Sequence, residues 1–360
     1  YRFSLTDAGT GSTDIVTANF GQKSFAYTPP TNFKKLQQDN MPETAKGISG
    51  FVWVKDRDSG SLNHVLYDSS RGANKYLNSN TDGAEGTGTD GLTKFLKGGF
   101  ATEDALFTNT SGDSFCAWNW IANGGVTSTN NDGSITTTTQ VNSTAGFSII
   151  QYTGTEANAT IGHGLSQTPD WFMIKSLETH SPNGYWCVWQ KSFSANQLIY
   201  LNLDIAIDTS TTMFNNTLPT SSVINLGSNF NTNMSGNKMI CYAWHEVDGY
   251  SKFGRYTGNN STDGTFVYTG FSPAFVMIKR IAGADDWYIL DSTREINNPK
   301  SLYLEPNTTN ADATAGAKDF LSNGFKIRDT NFGNLAEDYI YMAFAEHPFV
   351  GDGTSPATAR

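Results

Sequence analysis

The side chains best suited to catalysis or metal binding are scattered singly along this chain. No histidine or cysteine has a second one at the spacing of metal ligands. No glycine-rich phosphate loop, zinc-protease His-Glu motif or Gly-x-Ser-x-Gly elbow is present. The sequence therefore predicts no catalytic residue, no metal site and no cofactor. We expect surface or hydrogen-bonded core histidines and buried free thiols at His64, His163, His180, His245, His347, Cys116, Cys187 and Cys241.

Two carboxylates recur at equivalent positions, and each lies next to a histidine. Glu246 follows His245, and Glu346 precedes His347. A catalytic pair is one interpretation, but a structural position is favoured because an enzyme seldom repeats its acid in every copy of a scaffold. Asp-Gly turns at residues 131–133 and 262–264 lack the spaced carboxylates of a calcium loop, so hairpin turns are favoured.

Aromatic side chains are the remaining candidates for ligand contact, since an exposed ring is a platform for a sugar and a frequent anchor at protein interfaces. Seven of the eight tryptophans lie on recurring strands and are expected in the core. Trp120 lies off the recurring motif and is expected to be more exposed. The loop at residues 180–185 is the most distinctive insertion. Our candidate ligand-binding residues are His180, Asn183, Tyr185 and Trp120.

The composition excludes several partners. Lys and Arg number 24 and Asp and Glu 34, which gives a net charge of −10. This charge opposes condensation onto nucleic acid or anionic lipid. No apolar run approaches the roughly 20 residues that span a bilayer, and no signal segment opens the chain. We therefore expect a soluble protein that does not bind nucleic acid or insert into a membrane.

Four short motifs occur three times in the same order, which indicates a threefold internal repeat. The first is an apolar run closed by lysine, at residues 51–55, 171–175 and 275–279. The other three motifs lie at residues 64–69, 186–190 and 287–292, then 76–78, 200–202 and 303–305, then 116–118, 242–244 and 342–344. A Tyr-Thr-Gly leader precedes the second and third copies, at residues 152–154 and 256–258, and the first copy lacks it.

The runs within each copy are short, rich in β-branched and aromatic residues, and bounded by Gly, Asn, Asp and Ser, which is typical of strands. The fold class expected is all-β, with tandem β-sandwich-like units. Residues 339–344 are apolar throughout, as in a strand covered on both faces, so the units should pack on one another. The expected domains are the last strands of a β-sandwich with a linker, three repeat units and a tail, at residues 1–45, 46–148, 149–250, 251–350 and 351–360.

These motifs together resemble the tail-fibre-like, repetitive virion proteins of tailed bacteriophages that infect marine bacteria. The resemblance covers nearly the whole chain. Residues 19–22 and 27–30 also resemble the last strands of a concanavalin- or SPRY-like β-sandwich. The other matching segments are residues 256–259, 270–276, 291–294, 320–325 and 343–349.

The resemblance implies a non-enzymatic virion surface protein, a tail fibre or spike component that attaches to host glycan or another host receptor. It also implies other virion proteins as partners, a homotrimer by analogy with fibres, and assembly in the host cytoplasm, whose reducing conditions suit free thiols. Two alternatives stay open. One is a structural or decoration protein of the capsid or tail without a host ligand, and the other is a glycan-degrading spike enzyme.

Overall fold

A computed structural model describes residues 49–96, 99–179 and 184–346. The chain divides into two units after residue 43, close to the boundary expected at residue 45. The described residues form 25 strands and two one-turn helices, and every strand pairing within the sheets is antiparallel. The prediction of an all-β protein is confirmed. The predicted segments 1–45 and 351–360 lie outside the described residues.

The first sheet has the strand order β4-β3-β2-β1-β7. A hairpin, β5 and β6, and a short helix, α1, connect β4 to β7. The elements are β1 (Ser49–Asp56), β2 (Val65–Asp68), β3 (Lys75–Asn78), β4 (Gly86–Thr87), β5 (Leu92–Leu96), β6 (Gly99–Thr102), α1 (Leu106–Asn109) and β7 (Phe115–Ile121).

The second sheet has eight strands in the order β15-β14-β13-β12-β17-β10-β9-β8. It begins at β8, earlier than the boundary expected at residue 148, because β8 and β9 pair with β10 rather than with the first sheet. Its elements, with the outer pair β11 and β16, are β8 (Ser128–Asn130), β9 (Thr137–Asn142), β10 (Phe147–Thr153), β11 (Ala159–Gly162), β12 (Trp171–Ser176), β13 (Cys187–Gln190), β14 (Gln197–Tyr200), β15 (Asp208–Thr209), β16 (Val223–Leu226), α2 (Phe230–Asn233) and β17 (Lys238–Trp244).

The third sheet has the order β18-β25-β20-β21, and a fourth sheet, β19-β24-β23-β22, packs on its outer face. The third sheet begins at Ser251. The elements are β18 (Ser251–Thr257), β19 (Phe266–Tyr268), β20 (Pro273–Arg280), β21 (Trp287–Asp291), β22 (Lys300–Tyr303), β23 (Ala313–Leu321), β24 (Gly324–Ile327) and β25 (Asp338–Ala345).

The first three sheets share one arrangement at their centres. In each sheet the strand closed by lysine pairs on one side with the next strand in the chain. On its other side it pairs with the strand that carries the fourth recurring motif. The strands closed by lysine are β1, β12 and β20, and the strands with the fourth motif are β7, β17 and β25. A threefold repeat would produce this common order, although the repeat itself stays a prediction.

One aromatic cluster joins the inward faces of the three sheets. Ring centroids of Phe51 and Tyr242 lie 4.5 Å apart between the first and second sheets. Trp171 and Trp287 join the second to the third at 6.1 Å. Trp118 and Phe275 lie 5.7 Å apart and join the third sheet to the first. The sheets therefore contact one another pairwise around one shared core.

Central strands are buried on both faces, as their uninterrupted apolar sequence predicts. In β25, Ile340, Met342 and Phe344 contribute to the aromatic cluster, whereas Tyr339 and Tyr341 face a second cluster under the fourth sheet. The period of two follows from the alternation of side chains along a strand. The result is a β-sandwich-like third unit whose inner face also serves the shared core.

Strand register corrects the expected position of Trp120. The lysines that close β1, β12 and β20 pair with Cys116, Ile240 and Ile340. Counting four residues on from each partner places Trp120 at the position of Trp244 and Phe344, whose rings lie 6.2 and 5.5 Å from it. In the recurring sequence motif, by contrast, Trp118 stands at the position of Trp244 and Phe344. Trp120 is only 5% exposed, so the expectation that it is more exposed is wrong.

Candidate functional site

The described histidines and cysteines lie in environments that suppress their reactivity. His64 and His163 are fully buried, and burial holds their pKa values below the usual range, so both stay neutral. Cys187 and Cys241 are buried free thiols, as predicted, and Cys116 is half-buried. Burial raises the pKa of Cys116 to about 12, so it is not a thiolate at neutral pH. No group of three or more His, Cys, Asp or Glu in the described residues is placed to hold a metal ion.

The lysines that close the central strands are also buried. Lys175 Nζ donates to the carbonyl oxygen of Asp82 at 2.9 Å, and Lys279 Nζ donates to that of Asp204 at 2.9 Å. Both carbonyls belong to loops of the preceding sheet. Burial lowers the pKa of Lys175 and Lys279 to about 8 each. With no exposed surface, these amines connect sheets and are out of reach of a substrate.

Glu246 takes the structural role favoured from its recurrence. Its carboxylate contacts Lys191, accepts from Lys252 Nζ at 2.9 Å, and accepts from the backbone N–H of Phe253 at 3.0 Å. Partial burial would raise the pKa of Glu246, but the hydrogen bonds from Lys191 and Lys252 outweigh it and the pKa is lowered. Glu346 is exposed.

The four candidate residues from the sequence are not brought together by the described structure. His180 and Asn183 lie outside the described residues. Tyr185 is half-buried, and its ring lies 5.2 Å from that of Tyr200. Trp120 is buried between sheets, although it borders a cavity beside β7.

Among the described residues, the most exposed aromatic side chains lie on strand β19, which pairs there with β24 alone. Phe266 is 42% exposed and Tyr268 is 63% exposed, whereas Val267 between them is buried in the second cluster. Because side chains alternate along a strand, both rings lie on its outward face, about 7 Å apart along the chain. We call Phe266 and Tyr268 the aromatic strip.

A glycine lies next to each ring of the aromatic strip. A side chain on Gly270 would begin 3.6 Å from the Tyr268 hydroxyl oxygen, and one on Gly324 would lie 3.1 Å from the ring of Phe266. Gly270 has a φ of +87°, a conformation that disfavours other residues. A side chain at either glycine would therefore approach the ring beside it.

A cavity of about 340 Å³ adjoins Tyr268. Its polar lining comes from the turn between β17 and β18 and from the residue after β19. Asp248 is exposed, and the side chain of Lys252 is 37% exposed. Its lining residues are Asp248, Gly249, Ser251, Lys252, Tyr268, Thr269 and Gly270.

This surface offers two kinds of contact to one ligand. An exposed phenol ring packs against an apolar ring face, and Asp248 and Lys252 add polar groups to the same cavity, with Lys252 Nζ bonded to Glu246. The apolar C–H face and polar rim of a pyranose sugar match this arrangement. Sequence analysis missed the strip because an aromatic-apolar-aromatic alternation does not reveal which face points outward.

Comparison with known proteins identifies a family for this chain. A family model described as "Domain of unknown function (DUF7483)" matches residues 38–348. No curated protein and no solved structure matches the chain. Among the described residues, no helix is long and apolar enough to cross a membrane.

Proposed function

We propose that this chain, which belongs to the DUF7483 domain family, is a non-enzymatic virion surface protein that attaches to host-cell glycan. The observation that carries the proposal is the aromatic strip with its adjoining polar cavity. Exposed apolar patches that are rimmed by polar residues often mark a ligand-binding or interaction surface.

The state of the titratable groups supports binding over catalysis. Catalytic groups are commonly tuned so that they titrate near the working pH and face a cleft. Here the described histidines are buried, the thiols are protonated, and Glu246 is held by two lysines. Such a site would recognise sugar rings without breaking the bonds between them.

The virion setting comes from the sequence resemblance to tail-fibre-like phage proteins. In this setting the protein is a tail fibre or spike component with other virion proteins as neighbours, and a homotrimer by analogy with fibres. Assembly in a reducing host cytoplasm is consistent with three free cysteines.

Binding of the fluorescently labelled protein to intact candidate host cells tests the proposal, with soluble host polysaccharide as competitor. We expect saturable, competable binding that falls at least tenfold in Tyr268→Ala. Ile296→Ala is the matched control because Ile296 is 83% exposed and lies elsewhere in the third unit. Equal binding by Tyr268→Ala and the parent chain would reject the aromatic strip as the attachment site.

The same assay separates the two alternatives. A structural or decoration protein without a host ligand would leave every susceptible host unlabelled. A glycan-degrading spike would shorten the polysaccharide during incubation, which size-exclusion chromatography measures directly. Both readouts use the parent chain, so they do not depend on the choice of variant.

A further inference from the structure

The cavity beside Tyr268 presents one carboxylate that the protein does not neutralise. Asp248 and Lys252 are the charged residues in its lining. Lys252 Nζ lies 2.9 Å from the Glu246 carboxylate, so its charge is already paired. The side chain of Asp248 is exposed and has no hydrogen-bond or ion-pair partner among residues 49–96, 99–179 and 184–346. The charge that this cavity offers to a ligand is therefore negative.

The groups next to the cavity do not change this sign. Lys191 contacts Glu246 and lies 3.5 Å from the carboxylate of Asp170. Lys191 and Lys252 thus offset these two carboxylates, and the fifth group, Asp248, leaves a charge of −1. The whole chain carries −10 as well. Electrostatic attraction at this surface therefore favours a cationic ligand over an anionic one.

Several hydrogen-bond donors of the lining are already used within the protein. The backbone N–H groups of Thr269 and Gly270 donate to the carbonyl oxygen of Asn323 at 3.0 and 3.1 Å. The Thr269 hydroxyl donates to the carbonyl oxygen of Phe271 at 2.7 Å. The backbone N–H of Ser251 donates across the turn that precedes it, at 2.9 Å. These donors are not available to an acidic group, whereas Asp248 is available to a ligand that donates.

An ammonium group on a sugar would meet two attractive partners in this cavity. The ring of Tyr268 is 63% exposed, and the face of an aromatic ring attracts a cation. The carboxylate of Asp248 lines the same cavity, so one ligand can contact both. The volume of about 340 Å³ lies within the usual range of small-ligand sites.

We propose that the aromatic strip and its cavity select glycans that carry free ammonium groups, as glucosamine units do. Glycans with N-acetylated amines lose the cation, and glycans with carboxylates are repelled by Asp248. This inference rests on the proposed function and names the chemistry of its ligand.

Isothermal titration calorimetry of the whole chain with three matched oligosaccharides tests the inference. All three have β-1,4-linked pyranose rings, and their units are glucosamine, N-acetylglucosamine or glucuronic acid. At mildly acidic pH we expect the glucosamine oligomer to bind about fivefold or more tightly than the N-acetylated one, and the glucuronic acid oligomer to bind weakest. Added salt should narrow the difference, because it screens an exposed charge pair.

Two substitutions separate the carboxylate from the ring. Asp248→Asn should remove the preference for glucosamine and leave the affinity for the N-acetylated oligomer unchanged, whereas Tyr268→Ala should weaken binding of both. Asp104→Asn is the matched control, since Asp104 is also exposed but lies between β6 and α1, and it should keep the preference. A preference that survives in Asp248→Asn would overturn the inference.

Failure of the inference can be distinguished from failure of the proposed function. Equal binding of the three oligosaccharides, or tightest binding of the N-acetylated or carboxylated one, overturns the inference and leaves glycan attachment intact. A chain that labels host cells but binds none of the three overturns it as well. The proposed function fails on a different result, when the labelled chain binds no susceptible host cell.

Discussion

An Asp-x-x-Arg turn occurs at two of the three junctions between sheets. Its aspartate shows how a single residue connects two sheets by hydrogen bonds. Asp291 accepts from Arg294 Nε at 2.6 Å and from Trp118 Nε1 of the first sheet at 3.1 Å. Asp68 likewise contacts Arg71 and accepts from the Tyr242 hydroxyl of the second sheet at 2.6 Å. Trp118 and Tyr242 occupy the same register position. Each aspartate therefore joins a turn of its own sheet to a donor on a neighbouring sheet.

The junction between the second and third sheets has neither the aspartate nor the hydrogen-bond donor of this arrangement. In the second sheet, Gln190 occupies the position that Asp68 and Asp291 hold in the other two sheets. In the third sheet, Met342 occupies the position of Trp118 and Tyr242. Methionine has no hydrogen to donate. The carboxylate and its cross-sheet donor are thus lost together, as expected if the pair acts as a unit.

Removing the arginine of such a turn should be costly. Arg294 also donates to Asp312 at 2.6 Å, and its side chain is 3% exposed. Arg294→Met leaves Asp291 without its cation, while Asp312 keeps its ion pair with Arg57, so we expect the free energy of unfolding to fall by about 3–5 kcal/mol in urea denaturation. The control is Arg328→Met, which breaks a surface pair with Asp319 and should change stability by less than about 1 kcal/mol. A loss for Arg294→Met no larger than the control would contradict the role of the turn.

The buried lysines predict an alkaline rise in stability. Lys175 and Lys279 have folded pKa values of about 8, below the unfolded value of 10.5. At these two lysines the unfolded chain binds more protons than the folded chain between those pH values, so their contribution to the free energy of unfolding increases with pH. The buried thiols, whose pKa values are raised, contribute with the opposite sign. Urea denaturation from about pH 8 to about pH 9.5 should therefore show the parent chain gaining stability relative to the double variant Lys175→Met with Lys279→Met. An equal pH dependence of the parent chain and the double variant would contradict the role of the two lysines.

At the scale of elements, the glycine of each Tyr-Thr-Gly leader determines the turn that follows strand β10 or strand β18. A side chain on Gly154 would lie 2.1 Å from the carbonyl oxygen of Met234, and one on Gly258 would lie 2.1 Å from that of Leu335. Beside each contact lies a fully buried asparagine, Asn233 or Asn334, whose amide bonds to loop carbonyls. Each glycine therefore lets its own backbone approach the backbone of the loop before β17 or β25, where a side chain would not fit.

Gly258→Ala tests this requirement. The added methyl group meets backbone, which cannot move aside as a flexible side chain would, so we expect a loss of about 1–3 kcal/mol in the free energy of unfolding. Gly99→Ala is the matched control because a Cβ there meets nothing within 4 Å, and it should change stability by less than about 0.5 kcal/mol. Equal stability of the two variants would show that the turn adjusts freely.

At the scale of the whole molecule, the shared cluster should make the three sheets unfold together. Phe51, Trp120, Trp244 and Phe344 come from all three sheets and lie in contact. A domain with one continuous core usually unfolds in a single cooperative transition. The β-sandwich-like third unit has its own second cluster, yet its inner strands also belong to the shared core.

Trp120→Ala tests that coupling. Loss of a large buried ring should lower the free energy of unfolding by about 3–5 kcal/mol. Because Trp120 contacts rings of the second and third sheets, far-ultraviolet circular dichroism and tryptophan fluorescence should shift to lower urea by the same amount. Two separate transitions, with only one shifted, would show that the sheets unfold independently.

The sequence determined the fold class, the central strands and the burial of most tryptophans. Short apolar runs bounded by turn residues specify strands locally, and runs without alternation indicate strands covered on both faces. These features depend on neighbours along the chain, which a sequence displays directly.

Tertiary structure alone decided which faces meet and which stay open. A shift of two residues keeps a side chain on the same face of a strand, so the pattern could not distinguish Trp118 from Trp120 in the recurring motif. The outward direction of Phe266 and Tyr268 depends on which strands lie alongside. Those neighbours are distant in sequence, and their pairing is fixed only by how the three sheets pack around one core.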